Sequence, residues 1–234
     1  MKPTMLFISC EHAVNTIPTD FKKLFNDHQS ILSTHRAIDF GALDIGKFLS
    51  HSFACEFTSA TVSRLLIDCN RSLTHKTCFS EFTDSLTADE KQRIIDKYYL
   101  PYRAQTESLI KKHIELGHQV LHLSSHSFTP VFNGNLRNAG ICLLYDTKRH
   151  AECEVAREWR SLLNLQSPSY RIRMNYPYKG SSDGFTSTLR KRYSEKEYLG
   201  FEIEVNQALV KDKTSLMSVA TVLKESLQEL MLLL

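Results

Sequence analysis

Residues Gly200-Phe-Glu-Ile-Glu-Val-Asn206 alternate apolar and acidic side chains, the signature of a β-strand. Side chains on a strand point alternately to its two faces, so Glu202 and Glu204 share one face and Phe201, Ile203 and Val205 the other. An ionised carboxylate inside a core is costly unless it is paired. Such a pair therefore faces solvent, a cation or a reacting centre. Taken alone, the segment reads as a half-exposed edge strand. The segments on either side of it test that reading.

Upstream of it, a short helix is expected over 186–193, and residues 171–184, rich in Gly, Ser, Pro and Tyr, read as a loop. Further back lie a helix over 150–163, a strand over 141–145 and a strand over 119–125 that ends at His126. Thr87-Ala-Asp-Glu90 is a capping box opening a long helix, interrupted near Pro101 and stopped by Gly117. A strand is predicted over 58–67, running into Asp68-Cys-Asn-Arg71. A helix is predicted over 38–51, and a first strand over 5–9, followed by a loop with Pro18. Downstream, Leu216, Val219, Leu223, Leu227, Leu230 and Leu234 recur at helical spacing, as in a helix packed on a sheet. Strands alternate with helices throughout. The expected fold is a three-layer α/β arrangement: a mainly parallel or mixed central sheet with helices on both faces.

Composition excludes several classes. The 29 basic and 26 acidic residues leave a net charge of only +3, with no Lys/Arg block, so nucleic acid is not an expected partner. No apolar run approaches the roughly 18 residues of a membrane span. The apolar stretch after Met1-Lys2-Pro3 is too short for a secretory leader, so a cytoplasmic location is expected. The six cysteines show no CxxC spacing and read as small core residues, not as a zinc ribbon or a disulfide framework.

Polar residues gather just after the strands: Glu11, His12 and Asn15 after the first, Asp68, Asn70 and Arg71 after the second, His126 after the third. In open α/β sheets, ligands bind at the carboxyl ends of the strands, so these groups are expected to converge on one crevice with Glu202 and Glu204. Two histidines from different strands can hold zinc through imidazole nitrogen, and a nearby glutamate can act as general acid and base. An arginine fork with an asparagine suits a substrate carboxylate. Metal, base and carboxylate clamp are the parts of a hydrolase acting on an amide beside a carboxylate.

Ser9-Cys-Glu-His-Ala-Val-Asn15 with Pro18, Asp39-Phe-Gly-Ala42, Val62-Ser-Arg64 with Asp68-Cys-Asn-Arg71, His126-Ser127 and Ile203-Glu-Val-Asn206 together resemble the N-formylglutamate amidohydrolase family. The order and spacing match from near residue 5 to about residue 210. No one of these motifs is specific, but the combination is. The resemblance implies a single domain over 1–234 with a phosphorylase/hydrolase-like fold, related to zinc carboxypeptidases and aspartoacylase. It implies hydrolysis of an N-formyl or N-acyl amino acid, with zinc or another divalent metal as cofactor. Residue by residue, it implies His12 and His126 as metal ligands, Asn70 and Arg71 as the grip on the substrate carboxylate, and Glu204 as the catalytic glutamate. Glu202 takes that role if the register is displaced by two. Tyr178 and Asp183 fall in a substrate-side loop, Asn15 is counted with the substrate-binding residues, and Arg64 is expected to polarise the scissile carbonyl or to brace Asp68.

The sequence departs from the wider relatives at one place. Zinc carboxypeptidases use His-x-x-Glu, and here the third position after His12 is Asn15, a poor zinc ligand. Asp39 is the expected replacement, at the start of a helix whose first turn faces the crevice. Glu11 is set aside, since adjacent residues on a strand point to opposite faces. Two alternatives stay open: a peptidase or amidase with another substrate, and a non-catalytic carboxylate-binding protein on a hydrolase scaffold.

Overall fold

The computed structural model describes residues 3–234; Met1 and Lys2, which the leader and domain readings include, lie outside the described residues. In chain order the elements are β1 (Thr4–Cys10), α1 (Ala42–Phe53), β2 (Glu56–Ser59), α2 (Ala88–Ile94), α3 (Leu100–Glu115), β3 (Gln119–Phe128), β4 (Val131–Phe132), β5 (Asn135–Leu136), β6 (Ile141–Leu144), α4 (His150–Gln166), β7 (Ile172–Met174), α5 (Phe185–Arg190), β8 (Tyr198–Asn206) and α6 (Lys213–Leu233). Six strands form one sheet in the order β2-β1-β3-β8-β6-β7, and β4 pairs with β5 in a separate hairpin. β2, β1, β3 and β8 run parallel, whereas β6 is antiparallel to β8 and parallel to β7. The sheet is therefore mixed, and the three-layer α/β expectation holds.

Strand alternation sorts the side chains into two cores. Leu6, Ile8, Leu121, Leu123, Phe201, Ile203 and Val205 enter one, covered by α1, α4 and α6 through Leu49, Trp159 and Leu223. Phe7, Val120 and Tyr198 enter the other, covered by α3 and α5 through Tyr102, Ile110 and Leu189. The helical repeat in the tail is α6, whose Val219, Leu223, Leu227 and Leu230 are buried while Leu216 and Leu234 pack at the core's edge. Trp159 Nε1 donates to Ser226 Oγ at 3.0 Å, so its one polar atom also ties α4 to α6.

Several expectations need correction. β8 lies between β3 and β6, so the half-exposed edge reading of 200–206 fails: strand pairing on both sides removes the edge. Residues 60–67 are turns, not strand. Val62, Leu65, Leu66 and Ile67 are buried because Ser63 N–H donates to Thr16 O and Leu66 N–H to Ser63 O, satisfying a buried backbone without a ladder. The loop over 171–184 contains β7, and Thr19–Ser33, read as loop, is a 3-10 segment. The Thr87 capping box is present, and the interruption near Pro101 is a π turn at Ile95–Tyr99 before α3, where the missing proline N–H is tolerated. α1 begins at Ala42, not at residue 38. Gly41 caps it at φ +76, where a Cβ would lie 2.8 Å from Val210 Cβ.

Candidate functional site

β1, β3 and β8 end on the same side of the sheet, and their register fixes which side chains meet. Ser9 pairs with Ser124, Ser124 with Glu202, and His126 with Glu204. One sheet face thus carries Ser9, His122, Ser124 and His126 beside Glu202 and Glu204. His12 follows β1, and Asp68 and Asn70 follow the turns after β2. Asp39 is brought to them by its own backbone: its N–H donates to His12 O at 3.1 Å, and its carbonyl accepts from Ala42 N–H at 3.1 Å.

Three of these residues form a compact donor set. Asp39 Oδ2 lies 3.1 Å from His12 Nδ1 and 2.9 Å from His126 Nδ1, and the imidazole centroids are 4.8 Å apart. All three residues are buried, with donor atoms within 4.8 Å of one another. Each imidazole turns its other nitrogen to a carboxylate. His12 Nε2 is 2.8 Å from Asp68 Oδ1, and His126 Nε2 is 3.1 Å from Glu11 Oε2 and 2.9 Å from Ser124 Oγ. A carboxylate behind each ring fixes its tautomer and orientation and leaves Nδ1 for the centre. Two imidazoles and a carboxylate suit a divalent cation, zinc above all.

The electrostatics follow from this packing. Burial opposes ionisation of Asp39 and Asp68, but His12 and Arg64 hold both well below the usual carboxylate range. Arg64 reaches both, with Nη2 3.0 Å from Asp68 Oδ2 and Nη1 3.4 Å from Asp39 Oδ1. Burial opposes the charged form of His126 too, yet its bonds to Asp39 and Glu11 raise its pKa well above the usual histidine value. Glu11 is lowered despite full burial, because its oxygens receive His126, Ser124, Tyr102 and Ser9. Glu204 goes the other way. Burial, with the charges of Asp39 and Glu202, pushes it up to about 8 against His126 and Arg64, and its Oε2 is buried with no hydrogen-bond partner among the described residues.

These residues border a crevice of about 500 Å³. His12, Asp39, His126, Glu204 and Arg64 line it, as do Asn70, Arg71, Tyr178 and Asp183. Asn70 is committed to the protein: its Oδ1 accepts Phe185 N–H at 2.7 Å, and its Nδ2 lies 3.4 Å from His126 Nε2. Arg71 Nη1 donates to Asn70 O and Asp183 O at 2.9 and 2.8 Å, and Asp183 Oδ2 accepts Ser72 N–H at 2.9 Å. Tyr178 sits on a loop clamped to the end of β6. Asn175 Oδ1 accepts both Tyr145 and Gly180 N–H, and a Cβ on Gly180 would lie 2.1 Å from Tyr145 N.

Asn15 is the exception among the predicted residues. Its side chain is exposed and donates to Leu32 O at 2.8 Å, outside the crevice lining. Glu11 was set aside on strand alternation, but β1 ends at Cys10, so alternation no longer governs His12. Glu11 continues the Ser9 face and lies under His126. The signal was the parity of Ser9 and Glu11 with Ser124 and His126. Asp68, a strand-end residue in the sequence, is the counterpart of Glu11 behind His12.

Comparison with known proteins places this geometry. The family model for N-formylglutamate amidohydrolase matches residues 4–211. No curated protein sequence matches the chain. Among solved structures, gene product Atu2144 from Agrobacterium tumefaciens superimposes with a TM-score of 0.83 at 26% identity, over 98% of this chain and 90% of that one. N-formylglutamate amidohydrolase from Ralstonia eutropha JMP134 gives a TM-score of 0.68 at 19% identity, over 98% of this chain and 93% of that one, a likeness of fold.

Proposed function

The chain belongs to the N-formylglutamate amidohydrolase family and is an amidohydrolase, and from that premise we propose that it cleaves the amide of an N-formyl or N-acyl amino acid with a divalent metal, zinc first, held by His12, Asp39 and His126. The observation that carries this reading is Glu204 Oε2, a buried carboxylate oxygen without a partner among the described residues, on the crevice that those three residues border. A cation bound there would supply Lewis acidity at the scissile amide and, by its charge, draw the Glu204 pKa down from its raised value.

The remaining chemistry belongs to the chain. Glu204 accepts a proton from the attacking water and returns it to the departing amine, and burial keeps that proton exchange near neutral pH. Arg64, braced by Asp39 and Asp68, polarises the scissile carbonyl. Arg71, pinned by the Asn70 and Asp183 carbonyls, meets the substrate carboxylate as a pre-positioned cation. Tyr178 and Asp183 complete the substrate side. Glu11 and Asp68 hold the two imidazoles in the orientation that would present Nδ1 to a cation beside Asp39.

Elemental analysis of the purified protein, with hydrolysis of formylated and acetylated amino acids before and after chelation, tests the proposal. One equivalent of metal and chelator-sensitive turnover are expected. No metal uptake, and no hydrolysis with added zinc, cobalt or manganese, would overturn it and leave a carboxylate-binding protein.

A further inference from the structure

Cations and aromatic rings share the crevice lining. Arg64, Arg71 and Lys76 supply positive charge. Phe128 closes β3, Phe132 stands on the β4–β5 hairpin, and Tyr178 lies on the clamped loop. Phe132 and Tyr178 remain 44% and 46% exposed, and both present ring surface to the same crevice. Between them lies Arg137, its guanidinium carbon 4.5 Å from the Phe132 ring centroid and 5.2 Å from that of Tyr178. Its Nη1 also donates to the Tyr178 hydroxyl at 3.1 Å. The stacked guanidinium props both rings open. The hairpin is rooted beside the candidate base: Asn206 Nδ2, at the end of β8, donates to Arg137 O at 3.0 Å and Ala139 O at 2.8 Å.

Neither formate nor a glutamate side chain offers a surface for these rings to cover. A cleft of about 500 Å³ is also roomy for N-formylglutamate, since volumes of roughly 300–1,000 Å³ accommodate drug-sized ligands. Resting on the hydrolase reading above, we propose that Phe132 and Tyr178 determine specificity, taking an apolar group of aromatic size carried by the substrate. That group belongs either to the acyl part or to the amino-acid side chain.

Three probes separate the sources: N-formylglutamate, N-formylphenylalanine and N-phenylacetylglutamate, each assayed with zinc-loaded protein. At least one aromatic probe should exceed N-formylglutamate in kcat/KM by about tenfold, and the better one identifies the source. Phe132→Ala should lower that ratio by about tenfold. Leu136→Ala, on the same hairpin but 72% exposed and off the crevice lining, should leave the ratio as it is. The inference is overturned if no aromatic probe is preferred, or if Phe132→Ala and Leu136→Ala behave alike. Should none of the probes be turned over, the hydrolase reading fails on its own. Calorimetric affinities of the same three probes for wild type and Phe132→Ala, read as the same ratios, then decide the inference.

Discussion

His122 and His126 stand on the same face of β3 and are both buried, yet their surroundings drive them in opposite directions. His122, deeper in the sheet, makes its hydrogen bonds to neutral hydroxyls: Ser9 Oγ at 2.8 Å from Nε2 and Tyr198 Oη at 2.7 Å from Nδ1. Burial therefore dominates, and its pKa is pushed down to about 4. His126, two same-face positions further along β3 and nearer the crevice, sits between Asp39 and Glu11 and is raised. The carboxylates show the same division. Glu11 has donors on both oxygens and stays ionised, whereas Glu204 keeps one oxygen unpaired and rises. Burial alone, then, does not mark the working end of this polar face. The mouth is marked by the charge pairing of Asp39 with His126 and, beside it, by Glu204, whose pairing is incomplete among the described residues.

The largest test of that division is Glu204→Gln. Loss of a positioned general base costs typically 10²–10⁴-fold, so kcat should fall about a thousandfold with substrate affinity nearly intact. In metal-free protein the variant should also change the pH dependence of stability. A carboxyl raised from 4.5 to about 8 binds its proton more tightly in the folded state, so wild-type stability is lost as pH rises through that window. Glu204→Gln should flatten that loss in chemical denaturation. Wild-type turnover from this variant would place the base elsewhere, with Glu202 the next to test.

Glu11→Gln tests whether the support behind His126 matters to the centre. The substitution removes the charge and turns an amide donor towards groups that already donate. Metal affinity should fall about 10–100-fold, read by competition with a chromophoric chelator, because Glu11 no longer fixes His126. Unchanged affinity would make Glu11 a matter of folding alone.

Much of this division was legible in the sequence, and the exceptions have identifiable causes. Alternation placed Glu202 and Glu204 on one face, and the same parity places Ser9, Ser124 and His126 there. Asp39 was reachable because a carboxylate had to replace the glutamate of His-x-x-Glu. Three-dimensional neighbours were not legible. Nothing within 200–206 says that β6 covers the far side of β8, because strand order is set by pairing between distant segments. The apolar run 60–67 has strand composition, but its backbone is satisfied by Thr16 and by its own turns. Glu11 lies outside the donor set of His12, Asp39 and His126, as expected, but its place behind His126 was not legible, because strand alternation stops at the end of β1.

His122 supplies the next test, smaller and confined to the deep end. Its folded pKa of about 4 lies below the usual 6.5, so the unfolded chain takes up the proton first as pH falls. Stability linked to His122 is fully present above 6.5 and declines towards 4, by at most about 1.4 kcal/mol per pH unit. His126 has the opposite sign in metal-free protein: its contribution is present below 6.5 and is lost as pH rises through its elevated pKa. His122→Gln should therefore lessen the slope between pH 6.5 and 4, the rest of the acid-side loss belonging to the carboxylates, while leaving the alkaline side as in wild type. A slope unaltered by the substitution would mean that His122 is charged in the fold.

The smallest effect belongs to Asn15, and it marks where the mouth ends. Three residues after His12, it occupies the position of a metal-ligating glutamate in the carboxypeptidase pattern, yet its amide donates to Leu32 O on the surface. The chain turns away from the crevice there, because Ser63 N–H takes the Thr16 carbonyl and Ile17 is buried in the second core. Asn15→Ala should therefore shift stability by no more than about 0.5 kcal/mol, as for ordinary surface positions. It should leave metal affinity and KM within about twofold of wild type, a difference of roughly 0.4 kcal/mol. A tenfold loss of either would bring Asn15 back to the site, and the boundary between scaffold and working end would have to be drawn beyond it.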